Sequence, residues 1–161
     1  MILVDGSNLY FALKAHDLEN IHMDRLARWL DPNARGKRFY TAPFKGHSGF
    51  VEALKHMGWE VRFSRLKVDR EKGVDVSLAV DMVLLAGRGE PRITLVSGDT
   101  DLVPAVEAAR SLGTRVVVAQ FQDALGMDLV RAADDVVLLD GAPWDKLRWH
   151  KAAGSTLPAA M

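Results

Sequence analysis

Aspartates stand at three places where an apolar segment of the chain begins or ends. Asp5 directly follows an apolar run near the N-terminus, Asp99 and Asp101 follow a second run, and Asp75 precedes a long apolar segment. Carboxylate oxygens are the ligands that hard divalent cations prefer. Two such ions about 3.5–4 Å apart can activate a water and stabilise the leaving oxygen of a phosphodiester displacement. These aspartates are therefore candidates for a Mg²⁺ or Mn²⁺ site.

The elements that would position them alternate between short β-rich runs and longer helical patterns, which is typical of βαβ units and a parallel sheet. The patterns predict strands at 2–4, 37–41, 59–63, 93–96, 115–119 and 136–139, and helices at 9–15, 24–30, 48–57, 74–86, 102–112 and 125–133. In open parallel sheets the ligand site lies beyond the carboxyl ends of the strands, where the strand order reverses. If the first and fourth strands are neighbours, Asp5, Asp99 and Asp101 gather at one edge, and Asp75 can add a fourth carboxylate.

Each aspartate also has a purely structural interpretation. Asp75 and Asp99 stand just before apolar helical runs, so each is a candidate N-cap, and Ser7 or Asn8 is a candidate cap for the first helix. Asp5 fits that interpretation less well, because an acid at the end of a central apolar strand has little structural use. Since carboxylates forced together repel one another unless a cation neutralises them, their coincidence at strand ends favours a metal site.

Asp81 and the basic residues are less specific. On a helix, Asp81 shares a narrow polar face with Ser77 and Arg88, so a solvated or Arg-paired aspartate fits as well as a site residue. The chain has 21 basic and 21 acidic residues, yet residues 35–72 hold ten Lys/Arg (35, 37, 38, 45, 55, 62, 65, 67, 70, 72) against four Asp/Glu (52, 60, 69, 71). This local excess of about six charges suits a polyanion partner, although an ordinary solvated surface explains it too.

Composition excludes several classes. A length of 161 residues without cysteine indicates one domain and rules out a disulfide scaffold or a thiolate zinc site. The five histidines have no ligand spacing, and no apolar run approaches the ~20 residues of a membrane helix. The N-terminus lacks the basic region of a signal peptide, so we expect a cytoplasmic protein. Residues 141–161 are predicted to form a partly disordered tail, in which Trp144 and Trp149 either pack on the body or stack on RNA.

Three segments, residues 4–8, residues 72–76 with Asp81, and residues 97–102, closely resemble the three motifs of NYN domains. The similarity is to the bacterial LabA-like branch of the PIN-like nucleases, whose late Leu-x-x-Ala-Asp segment resembles Leu129 with residues 132–134. It extends over residues 1–139. The resemblance implies a Rossmann-like three-layer α/β/α sandwich with a mainly parallel sheet over residues 1–140. It also implies a Mg²⁺- or Mn²⁺-dependent nuclease that acts mainly on RNA.

The resemblance assigns roles to individual residues. Asp5, Asp75, Asp99 and Asp101 would form the acidic metal site, with Asn8 and Ser97 as polar supports. Asp81 matches a family position, but its place on the helix argues against a direct ligand role. One departure is mild, because Leu102 stands where the family often has Phe. No motif acid is missing.

Three functions remain open at this point. The leading hypothesis is hydrolysis of single-stranded RNA, by a monomer or a homodimer, with the RNA backbone held by Lys45, Arg65, Lys67, Arg70 and Lys72. The second is an RNA-binding or regulatory module whose acids hold a structural cation. The third is a phosphatase with an aspartate nucleophile. That class places Asp-x-Asp after its first strand, whereas residues 5–7 read Asp-Gly-Ser, which disfavours it.

Overall fold

The computed structural model describes residues 1–42, 48–64 and 70–149, and only the backbone of residues 48 and 70–72. Within these ranges the strands are β1 Ile2–Asp5, β2 Lys37–Thr41, β3 Glu60–Phe63, β4 Arg92–Val96, β5 Arg115–Gln120 and β6 Asp135–Leu138. The helices are α1 Gly6–Ala15, α2 Met23–Leu30, α3 Ser48–His56, α4 Arg70–Gly87, α5 Val103–Ser111, α6 Met127–Ala132 and α7 Trp144–Leu147. Short 3-10 turns occupy Thr100–Leu102, Gln122–Ala124 and Leu139–Gly141.

The six strands form one parallel sheet in the order β3-β2-β1-β4-β5-β6. The chain builds outward from β1 in one direction and then returns to its other side with β4. The strand order therefore reverses between β1 and β4, whose register pairs Val4 with Val96. This confirms the predicted Rossmann-like α/β fold. It also places the residues after Val4 and Val96 at the crevice where such sheets bind ligands.

Two apolar cores cover the sheet, because alternate strand residues point to opposite faces. On one face, α1, α2 and α3 pack on Ile2 and Val4. On the other face, α4, α5 and α6 pack on Leu3 and Leu95. Fully burying each such side chain contributes roughly 1.5–3 kcal/mol, so both layers hold the central strands in place.

Two helices begin three or more residues earlier than their sequence patterns predict. α1 starts at Gly6 rather than at residue 9, so the turn between β1 and α1 has no separate loop. This is possible because Gly6 lacks a Cβ, which would lie 2.5 Å from the Phe39 ring and 2.7 Å from the Tyr40 carbonyl oxygen. α4 starts at Arg70 rather than at residue 74. Asp75 therefore lies inside the helix, and the N-cap interpretation of Asp75 is wrong.

Residues 141–149 pack on the body of the domain. The Trp144 indole donates a hydrogen bond to the Leu139 carbonyl oxygen at 3.0 Å, and its ring stacks on Phe121 with the centroids 5.5 Å apart. Trp149 stacks on His22 at 4.0 Å. The packing interpretation of both tryptophans is confirmed. The predicted boundary at residue 140 stays a prediction, and residues 150–161 lie outside the described residues. No helix in the described part of the chain has the length and apolarity to span a membrane.

Candidate functional site

Asp5 is the centre of the candidate site. It ends β1 and is only 3% exposed. Its Oδ1 accepts a hydrogen bond from the Asn8 backbone N–H at 3.1 Å, so Asp5 itself is the N-cap of α1. The expectation that Asp5 has little structural use is therefore wrong, and so is the interpretation of Ser7 or Asn8 as the cap. Its Oδ2 accepts a hydrogen bond from the Ser97 hydroxyl at 3.2 Å. The carboxylate is thus fixed between the first turn of α1 and the end of β4.

Burial raises the pKa of the Asp5 carboxyl above its ordinary value of 3.8, and the neighbouring Asp99 carboxylate raises it further. The hydrogen bonds from Asn8, Ser97 and Ser7 act in the opposite direction but do not cancel the effect. A desolvated carboxylate beside a second one is electrostatically unfavourable unless a positive charge is added. A cation would relieve the unfavourable Asp5 charge, in addition to the capping role that its carboxylate has on α1.

Ser97, Asp99 and Asp101 form a chain of hydrogen bonds that leads outward from Asp5. The Asp99 backbone N–H donates to the Ser97 hydroxyl oxygen at 3.2 Å, and the Asp101 N–H donates to Asp99 Oδ1 at 2.9 Å. Asp99 is therefore the N-cap of the 3-10 turn that follows it, as its structural interpretation predicted. Asp99 is half-buried and Asp101 is exposed. The capping bond engages Asp99 Oδ1, and Oδ2 takes no part in it.

Asn8 ties three elements together. Its side-chain oxygen accepts hydrogen bonds from the Gly98 backbone N–H at 2.9 Å and from Gln120 Nε2 at 2.6 Å. Gln120 is fully buried at the end of β5, and its Oε1 accepts from the Phe121 N–H at 2.9 Å. Sequence analysis missed Gln120 because the predicted strand ended at residue 119. A polar residue at the end of the apolar strand beside the Asp99 strand was the available signal.

We expect the Gln120→Met variant to lower the free energy of unfolding by about 1–3 kcal/mol, because it removes one donor to Asn8 and leaves the buried Phe121 N–H without its acceptor. Urea unfolding followed by circular dichroism measures this change. Gln122→Met, at an exposed neighbouring position, is the control and should change the value by less than about 0.5 kcal/mol. Equal unfolding midpoints for the two variants would show that the hydrogen bonds of Gln120 with Asn8 and Phe121 do not stabilise the fold.

Asp75 lies near the N-terminal end of α4. This helix packs on β1 and β2 and contacts the 3-10 turn that contains Asp101. Asp75 lies in its second turn, beside the buried Val74. Because α4 runs antiparallel to the strands, its N-terminal part lies at the same edge of the sheet as Asp5 and Asp99.

The oxygen-rich donor set fits a hard divalent cation, although the described residues do not form a closed metal cage. Within residues 1–42, 48–64 and 70–149, no group of three or more His, Asp or Glu side chains is arranged to hold one cation. Asp5 is the desolvated carboxylate whose charge such an ion would stabilise, and Asp99 is the neighbouring carboxylate that helps to raise its pKa. Asp75 and Asp101 lie on elements that border this pair.

The sequence of the chain matches a known protein family. The family profile of the NYN domain matches residues 1–140. The chain belongs to the NYN domain family. This membership supports a nuclease-related role in general, because NYN domains fall in the PIN-like nuclease superfamily, and it supports nucleic acid as the general class of substrate.

A solved structure of a protein of unknown function from Vibrio parahaemolyticus is similar to this NYN domain. It superposes with a TM-score of 0.72 at 24% sequence identity, over 87% of this chain and 91% of that one. At this identity the likeness bears on the fold alone. Among curated proteins, none matches the chain significantly.

Asp81 lies in a separate cluster of this NYN domain. Its Oδ2 accepts a hydrogen bond from the Tyr40 hydroxyl at 2.8 Å and lies 3.2 Å from Arg38 and 3.8 Å from Arg62. Burial and the bond to Asp81 raise the pKa of the Tyr40 hydroxyl, so it remains a neutral donor. The Arg-paired interpretation of Asp81 is therefore confirmed, with partners on β2 and β3 rather than on its own helix. Asp81 joins α4 to the sheet.

We expect Asp81→Asn to lower the free energy of unfolding by about 1.5–3 kcal/mol, because the Tyr40 and Arg38 bonds lose their charged acceptor. Any RNA cleavage should fall less than about tenfold, since the side chain does not join the Asp5–Asp99 pair. Urea unfolding and single-turnover cleavage measure the two effects. A cleavage loss as large as that of Asp99→Asn would make Asp81 a site residue instead.

The basic residues of the 35–72 region are largely paired where their side chains are described. Lys37 pairs with Asp24, Arg38 and Arg62 pair with Glu60, and Lys55 pairs with Glu52, within 2.9 Å in each case. Among the predicted RNA-binding residues, Lys45, Arg65 and Lys67 lie outside the described residues. Arg70 and Lys72 lie in the first turn of α4, where only the backbone is described. Their role in RNA binding stays a prediction.

Proposed function

We propose that this NYN domain is a divalent-metal-dependent ribonuclease that hydrolyses phosphodiester bonds of single-stranded RNA. One observation carries the proposal: the buried carboxylate of Asp5 lies at the reversal of strand order, and its pKa is raised by burial and by the charge of Asp99. Perturbed carboxyl groups at a ligand-binding crevice are typical of functional sites. Family membership supplies the nuclease chemistry as the general expectation.

The residues of the chain have distinct roles in this proposal. Asp5 and Asp99 would hold Mg²⁺ or Mn²⁺, and Asp75 and Asp101 would complete the carboxylate set. When bound, the ion would supply an activated water and would stabilise the leaving oxygen. Attack of that water on phosphorus with cleavage of the P–O3′ bond would give products with a 5′-phosphate and a 3′-hydroxyl. Ser97 fixes the Asp5 carboxylate through its hydroxyl, and Asn8 fixes the β4 turn through Gly98.

RNA would be held by its phosphates as well as by the site. Lys45, Arg65, Lys67, Arg70 and Lys72 belong to the chain segment with the largest basic excess. Each phosphate contact releases counterions, so the affinity should fall steeply as salt rises. The slope of the logarithm of affinity against the logarithm of salt concentration estimates the number of contacts, at about 0.7 per phosphate for a single strand.

The test uses end-labelled single-stranded RNA incubated with the wild type and with Asp99→Asn, in Mn²⁺, Mg²⁺ or EDTA. We expect cleavage by the wild type in a divalent ion, none in EDTA, and a loss of about 100-fold or more in Asp99→Asn. Product mobility against alkaline and enzymatic ladders identifies the 5′-phosphate ends. Cleavage by Asp99→Asn at the wild-type rate would refute this assignment of the site.

One observation favours a second function, an RNA-binding or regulatory module with a structural cation. Asp5 and Asp99 each cap a helical turn through Oδ1, so both carboxylates already have a structural role. For this function, RNA affinity should be the same in the wild type and in Asp99→Asn, and neither should cleave any RNA tested. The cleavage experiment above separates the two functions when it is paired with a binding measurement.

The finer assignments belong to the same proposal. We propose that the chain belongs to the LabA-like branch, because Leu129 and residues 132–134 resemble the late segment of that branch. We also propose that it acts in the cytoplasm, where single-stranded RNA is available. The Asp134 of this segment accepts a hydrogen bond from the Val116 N–H at 2.8 Å and pairs with Arg110, so it anchors the β5–β6 connection. Light scattering of the purified protein distinguishes a monomer from a homodimer.

A further inference from the structure

A cavity of about 310 Å³ opens beside the candidate site, between α1 and the 3-10 turn Gln122–Ala124. Its volume is at the lower end of the range for small-molecule sites. It is not used by the metal site described above, except that Asn8 belongs to both. The residues that line it are Asn8, Phe11, Ala12, Ala15, Asp123 and Ala124.

Phe11 gives the cavity an exposed aromatic surface. The side chain is 60% exposed, although it lies on α1, which packs its opposite face on the sheet. Tyr10 contacts its ring edge-to-face, with the centroids 5.4 Å apart and the planes at 69°. An aromatic ring that is held by a neighbour and open to solvent on a cavity wall is suited to stack on a planar ligand.

Asn8 connects the cavity to the acidic pair. Its side-chain oxygen accepts hydrogen bonds from Gly98 and Gln120, so the orientation of the amide is fixed and Nδ2 is its remaining donor group. Its backbone N–H donates to Asp5. A ligand in the cavity would therefore contact Asn8, whose backbone N–H is hydrogen-bonded to the Asp5 carboxylate.

The charge of the cavity selects the kind of ligand. Asp123 carries the charge among the lining residues, and its partner His16 contacts it at 3.1 Å while stacking on Phe121 at 4.0 Å. A carboxylate repels a phosphate group, but it accepts hydrogen bonds from the N–H groups of a nucleobase. The walls are otherwise formed by alanine side chains and the Phe11 ring, which match a flat and neutral ring system.

We propose that this cavity is a nucleobase subsite, in which the base of a nucleotide flanking the reacting phosphate stacks on Phe11. The inference rests on the proposed function, since the phosphates of the same strand would lie towards Asp5 and Asp99. Asn8 Nδ2 and the Asp123 carboxylate contact the polar edge of the base. Recognition of one base in this way positions the strand without requiring a particular sequence, because every base has a face that can stack.

The test measures the binding of a fluorescein-labelled octamer of oligoadenylate by anisotropy, in Ca²⁺ and in EDTA. Stacking on an aromatic side chain is worth about 1–3 kcal/mol, so Phe11→Ala should weaken binding by roughly 5- to 150-fold. Phe11→Tyr retains the ring and should bind within about twofold of the wild type. Leu112→Ala, at another exposed apolar position, is the control and should bind as the wild type does. Thermal melts verify that all four proteins are folded.

A series of octamers, each with one abasic position, shows whether Phe11 acts through a base. We expect one position at which removal of the base weakens binding to the wild type but not to Phe11→Ala, as in a double-mutant cycle. The subsite is refuted if Phe11→Ala binds within twofold of the wild type, if no abasic position is coupled to Phe11, or if the wild type binds no octamer in either buffer. Binding coupled to Phe11 without cleavage in Mn²⁺ would instead refute the ribonuclease and leave the subsite standing.

Discussion

The Asp5→Asn variant is expected to lose metal-dependent RNA cleavage by about 100-fold or more, yet to melt at a higher temperature than the wild type in EDTA. Both effects have one cause. Burial and the nearby Asp99 charge make the Asp5 charge unfavourable in the metal-free fold. The same charge would attract a cation. Asparagine keeps an oxygen that accepts from the Asn8 N–H, and its Nδ2 can donate to the Ser97 hydroxyl oxygen, but it carries no charge. A gain of about 1 kcal/mol would raise the melting temperature by about 2–4 °C.

The pH dependence of this gain follows from the direction of the pKa shift. The pKa of Asp5 is raised in the folded state above its ordinary value of 3.8, so the folded protein takes up the proton before the unfolded chain does. The Asp5 contribution to stability therefore becomes more favourable as the pH falls through the folded-state pKa. We expect the difference in melting temperature between Asp5→Asn and the wild type to be largest near pH 7 and to shrink as the pH approaches 4.

Metal binding should reverse the order of stability. A ligand at 100 times its dissociation constant adds about 2.7 kcal/mol to the folded state, so Mn²⁺ should raise the melting temperature of the wild type but not that of Asp5→Asn. Asp145→Asn, which replaces an exposed aspartate on α7, is the matched control and should respond to Mn²⁺ as the wild type does. Identical melting curves for Asp5→Asn and the wild type, with and without Mn²⁺, would show that the Asp5 charge does not destabilise the fold and that Asp5 does not bind the ion.

The position of Asp5 and Asp99 at one edge of the sheet was predictable from sequence because it depends on strand order. Apolar runs ending in Asp5 and Asp99 identify two buried parallel strands, and the carboxyl ends of neighbouring parallel strands meet at one edge. The β1–β4 pairing fulfils the condition on which that expectation depended, which the sequence left open. The positions of apolar runs can be identified without knowledge of side-chain conformations. The strands and helices were therefore predictable over most of the chain.

Side-chain partners were less predictable because they join distant parts of the chain. Asp81 pairs with Tyr40 on another element, 41 residues away, and Gln120 reaches Asn8 across 112 residues. No local pattern encodes such contacts. The start of α4 was also missed, because its first turn is charged and its apolar pattern begins only at Val74. Helical periodicity identifies the buried part of a helix better than its exposed first turn.

Gly98→Ala is expected to destabilise the protein by about 3 kcal/mol, which corresponds to a fall in melting temperature of about 6–12 °C. A Cβ at this position would lie 1.8 Å from the Ala124 carbonyl oxygen and 2.8 Å from the Ala124 carbonyl carbon. These are backbone atoms, so no side-chain rotation relieves the clash. The Gly126 N–H also donates to the Gly98 carbonyl oxygen at 3.1 Å, which ties the same two segments together. One of them must move.

The same movement should disable the site. The Gly98 N–H bonds to Asn8 at 2.9 Å, and the next residue is Asp99, so a displaced backbone separates Asp99 from Asp5 and opens the wall that Ala124 contributes to the cavity. A misplacement of about 1 Å can cost 10²-fold in rate, and we expect RNA cleavage to fall by at least that much. Melting curves and single-turnover cleavage measure the two losses separately.

Gly87→Ala distinguishes the close approach at Gly98 from the general effect of replacing glycine. Gly87 ends α4, and a Cβ there meets nothing within 4 Å. Alanine is the better helix former by roughly 0.5–1 kcal/mol, so Gly87→Ala should melt at the same temperature as the wild type or slightly higher, with cleavage unchanged. If Gly98→Ala behaved in the same way, the contact between Gly98 and Ala124 would not hold the two sides of the site together, and the positions of Asp99 and the cavity wall would depend on other contacts.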